Sequence, residues 1–327
     1  MGRKLTVFVA LFGIALLAAG PVSAEQITLT FTAGSAGGGW YGIAGGIAPI
    51  IQEYDPDLVI KVVPGGGVKN PAVISNGTVE MGFGLPFINA AAYKGMDPFD
   101  KPLTNLRALA GGMVMNYFHF YLGEDVAVNS MDEAFGQKKK LRMAITQPGS
   151  SDVWVFERVL EAYGTSIKDL EGAGFHFARG NYSFQANQFK DKNVDGVFTF
   201  LSLPGAAVIE ASVGRKMKLI DFSDTALKYL EPFGITEGQI PAGTYPKAAN
   251  GDQSIRTARA GSVITVSAEM SDDIAYRLTK AFNESVEKVR KIHAALEPYT
   301  VEQGITGCGV PLHPGAIKYY KEKGIIK

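Results

Sequence analysis

Glycines, serines and an asparagine, more than nucleophiles or metal ligands, are the residues whose spacing in this chain points to chemistry. Gly34-Ser35-Ala36-Gly37-Gly38-Gly39-Trp40-Tyr41 follows a run in which Ile27, Leu29 and Phe31 alternate with Thr28, Thr30 and Thr32. The alternation predicts a half-buried strand, and the apolar run from Trp40 predicts a helix. A glycine loop between a strand end and a helix start gathers free N–H groups at the positive end of the helix dipole, which suits an anion. The alternative is that the same glycines make a tight turn and nothing more.

Gly37-x-Gly39-x-x-Gly42 also spells the dinucleotide-binding fingerprint. That site needs an acidic residue near the end of the second strand for the ribose hydroxyls. Here the second predicted strand, Leu58 to Val63, runs into Pro64-Gly65-Gly66-Gly67 and the acid is missing. Other chemistries lack their patterns as well. His119, His176, His293 and His313 show neither HExxH nor a paired i, i+4 spacing, and no G-x-S-x-G elbow surrounds Ser35 or Ser150. No GK[ST] completes a phosphate loop, and Asp55/Asp57 and Asp272-Asp273 sit where turns and helix caps account for them. A pocket without reacting groups describes a binding protein. A small-acid enzyme is the alternative, with Asp152 as its one candidate base.

Arg3 and Lys4, the apolar run Leu5 to Ala19 and Val22-Ser23-Ala24 form the three parts of a secretory signal, with cleavage expected after Ala24 and a periplasmic destination. The single cysteine, Cys308, allows no internal disulfide and reads as buried filler. With 32 basic and 32 acidic residues, the chain offers no field for nucleic acid or an anionic bilayer. Its length suits two domains.

Strands at Leu58 to Val63 and Val79 to Leu85, and helices beginning at Asn70-Pro71 and Phe87, continue the opening theme and predict a mainly parallel sheet with helices on its faces. Asn70 reads as the N-cap and Pro71 as the first helical residue. Leu106 to Leu122 is expected to give two strands. From Leu141 to Thr146 the theme restarts, with Gln147-Pro148-Gly149-Ser150-Ser151-Asp152 leading into a helix. Strands at Phe175 to Arg179, Val194 to Phe200 and Met217 to Phe222 complete a second α/β unit. Pro232 to Asp252 reads as loop, Ile255 to Ala268 as a long extended return, and Ser271-Asp272-Asp273 as the cap of the longest helix, reaching about Leu296.

With these motifs in place, the chain resembles the TAXI-family solute receptors of TRAP transporters over its whole mature length. Gly34-Ser35-x-Gly37-Gly38-Gly39-Trp40-Tyr41 resembles the family's opening loop, Gly65-Gly66-Gly67-Val68-Lys69-Asn70 its second, and Pro148-Gly149-Ser150-Ser151 its GSGT turn. Asp195-Gly196-Val197-Phe198, the Ala275-Tyr276 helix and the ending His313-Pro314-Gly315-Ala316 onward resemble later family motifs. The resemblance implies an α/β, two-lobed periplasmic-binding-protein-like fold of type II with the ligand cleft between lobes. Residues 25–125 would begin lobe 1, 126–251 form lobe 2, and 252–327 return to lobe 1. It implies a monomer without cofactor or metal that captures a small carboxylated metabolite, such as a dicarboxylate, oxo acid or amino acid, and passes it to TRAP membrane permease subunits. Ser35, Gly38, Gly39, Trp40, Tyr41, Gly67, Asn70, Ser150, Ser151, Asp152 and Arg179 are the expected ligand-binding residues. Gly67 and Ser151-Asp152 depart from the family pattern. Asp152 is either a helix N-terminal acid or a partner for a ligand ammonium. Arg179, ending its strand, is either a carboxylate fork or an exposed loop arginine. Trp40 and Tyr41 are either ligand contacts or core.

Overall fold

The computed structural model describes Gly2, residues 26–36 and residues 38–327. Apart from Gly2, the expected signal segment lies outside the described residues, as does Gly37. Twelve strands are described: β1 (Ile27–Thr32), β2 (Leu58–Val63), β3 (Met81–Gly84), β4 (Leu106–Ala110), β5 (Asn116–Gly123), β6 (Arg142–Ile145), β7 (His176–Arg179), β8 (Gly196–Ser202), β9 (Met217–Leu219), β10 (Thr236–Ile240), β11 (Ile255–Ala260) and β12 (Val263–Ser267). They form two sheets, one in the order β2-β1-β3-β12-β4 and the other β10-β11-β5-β8-β6-β7, with β9 also paired to β5.

Only part of each sheet is parallel. β1 runs parallel to β2 and β3, but β12 is antiparallel to both β3 and β4. In the second sheet β6 is parallel to β7 and β8, whereas β5 is antiparallel to β8, β9 and β11. The expectation of a mainly parallel sheet fails where strands arrive from the other lobe instead of through a crossover helix. The segment expected as loop after Pro232 contains β10, an edge strand whose Thr236, Glu237 and Gln239 are exposed and which therefore carries little hydrophobic signal.

The chain leaves the first sheet after Ala110, enters the second at Asn116, and returns between Ala260 and Val263. β5 and β11, assigned from sequence to the lobe 1 segments, thus pair within the second sheet. The two crossing segments lie side by side: Met113 N donates to Ser262 O at 3.2 Å and Val114 N to Ser262 Oγ at 3.0 Å. These two backbone passes connect the lobes.

Helices cover both sheets. They are α1 (Gly39–Tyr54), α2 (Lys69–Ser75), α3 (Pro86–Lys94), α4 (Ser151–Ala162), α5 (Ile167–Gly172), α6 (Tyr182–Lys190), α7 (Ala206–Gly214), α8 (Asp224–Leu230), α9 (Asp272–Glu284), α10 (Val286–Arg290) and α11 (Pro314–Glu322). In α1, Ile43, Ala44, Ile47 and Ile51 repeat at helical spacing and are buried against the first sheet. Pro49 is tolerated inside it because Pro49 and Gly45, whose carbonyl loses its donor, both face water. The helix capped by Ser271 ends at Glu284 and resumes only as α10, since Ser285 at φ −100° and ψ 19° leaves the helical region. Its 13 residues are fewer than the 16 of α1, so α1 is the longest helix among the described residues.

One polar chain runs through the second lobe. His119, fully buried on β5, meets Tyr117 O at 2.9 Å through Nδ1 and the Tyr245 hydroxyl at 2.7 Å through Nε2. Nδ1 must donate to the carbonyl, so Nε2 accepts from Tyr245, whose oxygen accepts in turn from Gly205 N at 2.8 Å. Burial pushes the imidazole down to about 4, which keeps it neutral. Tyr245→Phe leaves Gly205 N–H and His119 Nε2 unpaired. We expect a loss of about 1–3 kcal/mol in urea unfolding, against a much smaller loss for Tyr229→Phe, whose hydroxyl is exposed.

Candidate functional site

The carboxyl ends of β1, β2, β6 and β8 feed loops that converge between the two sheets, the position at which open α/β folds bind ligands. A cavity of about 40 Å³ lies there. From the first lobe its wall is built by Ser35, Gly38, Gly39 and Trp40 of the opening loop and Gly66 and Gly67 of the second loop. From the second lobe come Ser150, Ser151 and Asp152 at the start of α4, with Tyr182, Asn116 and Ser202. Such a volume exceeds the roughly 10–15 Å³ of one water and falls well short of the roughly 150 Å³ that admits benzene. The lobes are therefore close together.

Their contact is made where side chains are missing. A Cβ on Gly38 would stand 2.9 Å from the Tyr182 ring, and one on Gly39 2.9 Å from Ser202 Oγ. Both neighbours belong to the opposite lobe. Neither position needs a left-handed backbone: Gly38, the N-cap of α1, has φ −88°. It is the approach across the cleft that requires glycine.

Asn70 occupies neither of its expected places. Helix α2 begins at Lys69 with Val68 as N-cap, and the Asn70 side chain, fully buried, is turned inward away from the cavity wall. Its Nδ2 donates to Ala33 O at 2.8 Å and Phe83 O at 2.7 Å, and its Oδ1 accepts from Gly66 N at 2.9 Å and Thr32 Oγ1 at 3.0 Å. The amide thus ties the ends of β1 and β3 to the second glycine loop.

Two further expected residues stand outside the cavity wall. Arg179 ends β7, but β7 is the edge strand beyond β6, one strand farther from the cleft, and Arg179 does not line the cavity. Its carbonyl is held by Gln147 Nε2 at 3.1 Å, and the chain reaches the cleft three residues later with Tyr182. Tyr41 packs against the first lobe's core and is absent from the wall. Trp40 is both core and wall, touching the cores of both lobes and lying 5.2 Å from the Phe83 ring. Its indole N–H is buried with no acceptor among the described residues. Sequence reasoning missed Asn116, Tyr182 and Ser202; the available signal was their position at or just beyond a strand or crossover end.

Ser150 is the N-cap of α4, accepting from Val153 N at 3.3 Å. Asp152 is the only charged residue in the cavity wall among the described residues, and it is 2 % exposed. Oδ1 accepts from Phe200 N at 2.8 Å, Oδ2 lies 3.3 Å from the Tyr182 hydroxyl, and that hydroxyl lies 3.2 Å from Phe200 O. Tyr182 has one proton for two acceptors. The network closes when Asp152 carries a proton, donates it to Tyr182, and Tyr182 donates to Phe200 O. Burial accordingly pushes the Asp152 carboxyl up to about 7, against the opposing pull of its donors, and raises the Tyr182 phenol well above its usual range. Among the described residues no group of His, Cys, Asp and Glu could hold a metal, and no helix is long and apolar enough to cross a membrane.

The chain matches the NMT1-like family over residues 31–324 and belongs to it. Its fold is that of the type II periplasmic binding proteins. MatC from Rhodopseudomonas palustris, solved with bound malate, is 13% identical, with 91% of this chain and 96% of MatC covered and a TM-score of 0.54. A structure described as a periplasmic transporter is 11% identical over 93% of this chain and 94% of its own, also with a TM-score of 0.54. A protein from Bordetella bronchiseptica RB50 is 15% identical over 93% and 90%, with a TM-score of 0.51.

Asn70→Ala leaves two buried carbonyls and the Gly66 N–H without partners. A loss of about 2–5 kcal/mol is expected in urea unfolding, and hydrogen exchange should speed up at residues 64–70 before the second lobe. The pH dependence is a separate test. Asp152, raised in the folded state, contributes stability that is present below pH 4 and lost as pH rises through about 7. His119, lowered in the folded state, contributes stability that is lost as pH falls from about 6.5 to about 4. Between pH 4.5 and 6.5 the two oppose each other. In Asp152→Asn only the histidine slope remains, so stability relative to wild type should fall by about 1.4 kcal/mol for each pH unit of acidification in that window.

Proposed function

We propose that this NMT1-like chain is an extracytoplasmic solute receptor of the TAXI type, which closes its two lobes on a small carboxylated metabolite and delivers it to a TRAP permease. The observation that carries the reading is that the N-termini of α1 and α4, one from each lobe, meet at one cavity. The first N–H groups of a helix have no intrahelical acceptors, so each lobe offers donors to an anionic group without a buried lysine or arginine. A ligand gripped from both sides favours the closed arrangement by its differential affinity for it. MatC, with its malate, supports the acid class. The exported destination rests on the signal-like residues 1–24, and action as a monomer on two lobes that already make the whole site.

Asp152 refines the ligand. Its carboxylate already serves Phe200 N and Tyr182, which favours its role at the helix start over that of a free counter-ion. A plain acid meets no repulsion while Asp152 is protonated, and an amino acid gains from the ionised form. The same buried acid is what an enzyme acting on a small acid would use as a base, and absence of turnover of any bound acid separates the two readings.

Thermal-shift titration of the chain lacking residues 1–24 with L-malate, succinate, 2-oxoglutarate and L-glutamate should raise the unfolding midpoint for at least one of them. Small-angle scattering with that acid should not show expansion. Lack of response to every acid, with a shift from uncharged solutes only, overturns the carboxylate assignment. Gly39→Ala is the companion variant. Its methyl meets Ser202 across the cleft, so the lobes cannot approach as closely and affinity for the bound acid should drop at least tenfold.

A further inference from the structure

Outside the cleft, the lobes share a second contact. Phe87 of α3, in the first lobe, stacks on Trp154 of α4, in the second, with ring centroids 5.4 Å apart and planes at 28°. Both side chains are 5 % exposed, and Phe233 closes the far side of the indole edge-on at 5.4 Å. One turn along α4, the Arg158 guanidinium lies 4.9 Å over the Trp154 ring and donates to Asp97 Oδ2 of the first lobe at 2.8 Å. Spacing of four places Trp154 and Arg158 on the same face of the helix. None of these five residues lines the cleft cavity. The first-lobe corner Leu85, Phe87 and Ile88 is packed into the apolar core of the second lobe, so the contact is continuous with that core.

We propose that the Phe87–Trp154 stack and the Asp97–Arg158 ion pair are a latch that biases the lobes towards closure before ligand arrives. The proposal rests on the receptor reading only for its consequence: residues that never touch the ligand would set its affinity, because a binding-competent state that is more populated raises apparent affinity in proportion. The stack is the stronger half. It is desolvated and offset, the arrangement in which an aromatic pair adds to area burial. Asp97 is 67 % exposed, so the ion pair contributes less and orients Arg158 over the indole.

The test uses the unliganded chain, by small-angle scattering, on wild type, Phe87→Leu, Asp97→Asn and Arg158→Gln. Phe87→Leu should lower the closed-to-open ratio by roughly threefold to tenfold and raise the radius of gyration. Asp97→Asn, at an exposed position where misfolding is not at issue, should give a smaller rise. Arg158→Gln added to Asp97→Asn should bring less than its separate effect, as coupling across a pair requires. Scattering profiles of the variants that superimpose on wild type, with thermal midpoints intact, overturn the latch. That outcome would leave acid binding and the receptor reading untouched, whereas failure to bind any acid would leave the scattering result standing.

Discussion

A single buried amide holds the first wall of the cleft in place. Asn70 is on α2, but its hydrogen bonds go to the end of β1, to the end of β3 and to the second glycine loop. Gly65 passes so close that a Cβ there would fall 2.4 Å from Asn70 Oδ1. Buried carbonyls at strand ends must be paired, and a helix-borne amide pairs two of them while taking a loop N–H in return. The opening loop and the second loop therefore share one anchor.

Closure is then a matter of shape. Two lobes that meet through Gly38 and Gly39 on one side and Tyr182 and Ser202 on the other approach more nearly than any pair of ordinary side chains permits. The remaining space is small and lined by hydroxyls, amides and one acid held near neutrality. Electrostatics in such a place are governed by burial, which is why Asp152 answers first to desolvation and only then to the hydrogen-bonding groups around it. The outer contact at Trp154 has a different character, being aromatic and outside the cavity wall.

Much of this was legible in the residues, for identifiable reasons. β1 and β2 alternate or run apolar between clear breakers, and both were expected with the bounds they have. The serines and glycines of the two facing loops sit directly after strands, where spacing along the chain and position in the fold coincide. Arg179 shows where that logic stops: the end of a strand is visible in sequence, but whether the strand is central or at the edge depends on pairing order. Asn before Pro suits a helix cap, yet besides Gly66 the Asn70 side chain is committed to partners 13 to 38 residues away. β10 was hidden because an exposed edge strand has little apolar pattern. Partners distant in sequence leave no local signature.

The placement of β12 has a consequence for how the protein comes to be. Residues 263–267 stand between β3 and β4, both of which are synthesised more than 150 residues earlier. The first sheet therefore has a gap in its middle until nearly the whole chain is available, while the second sheet lacks only β10 and β11 once β9 has emerged. Long-range pairings of this kind form slowly, since the loop they close must be ordered first. The order of assembly is thus the reverse of the order of synthesis. The lobe begun first is finished last, because its central strand is supplied by residues 263–267.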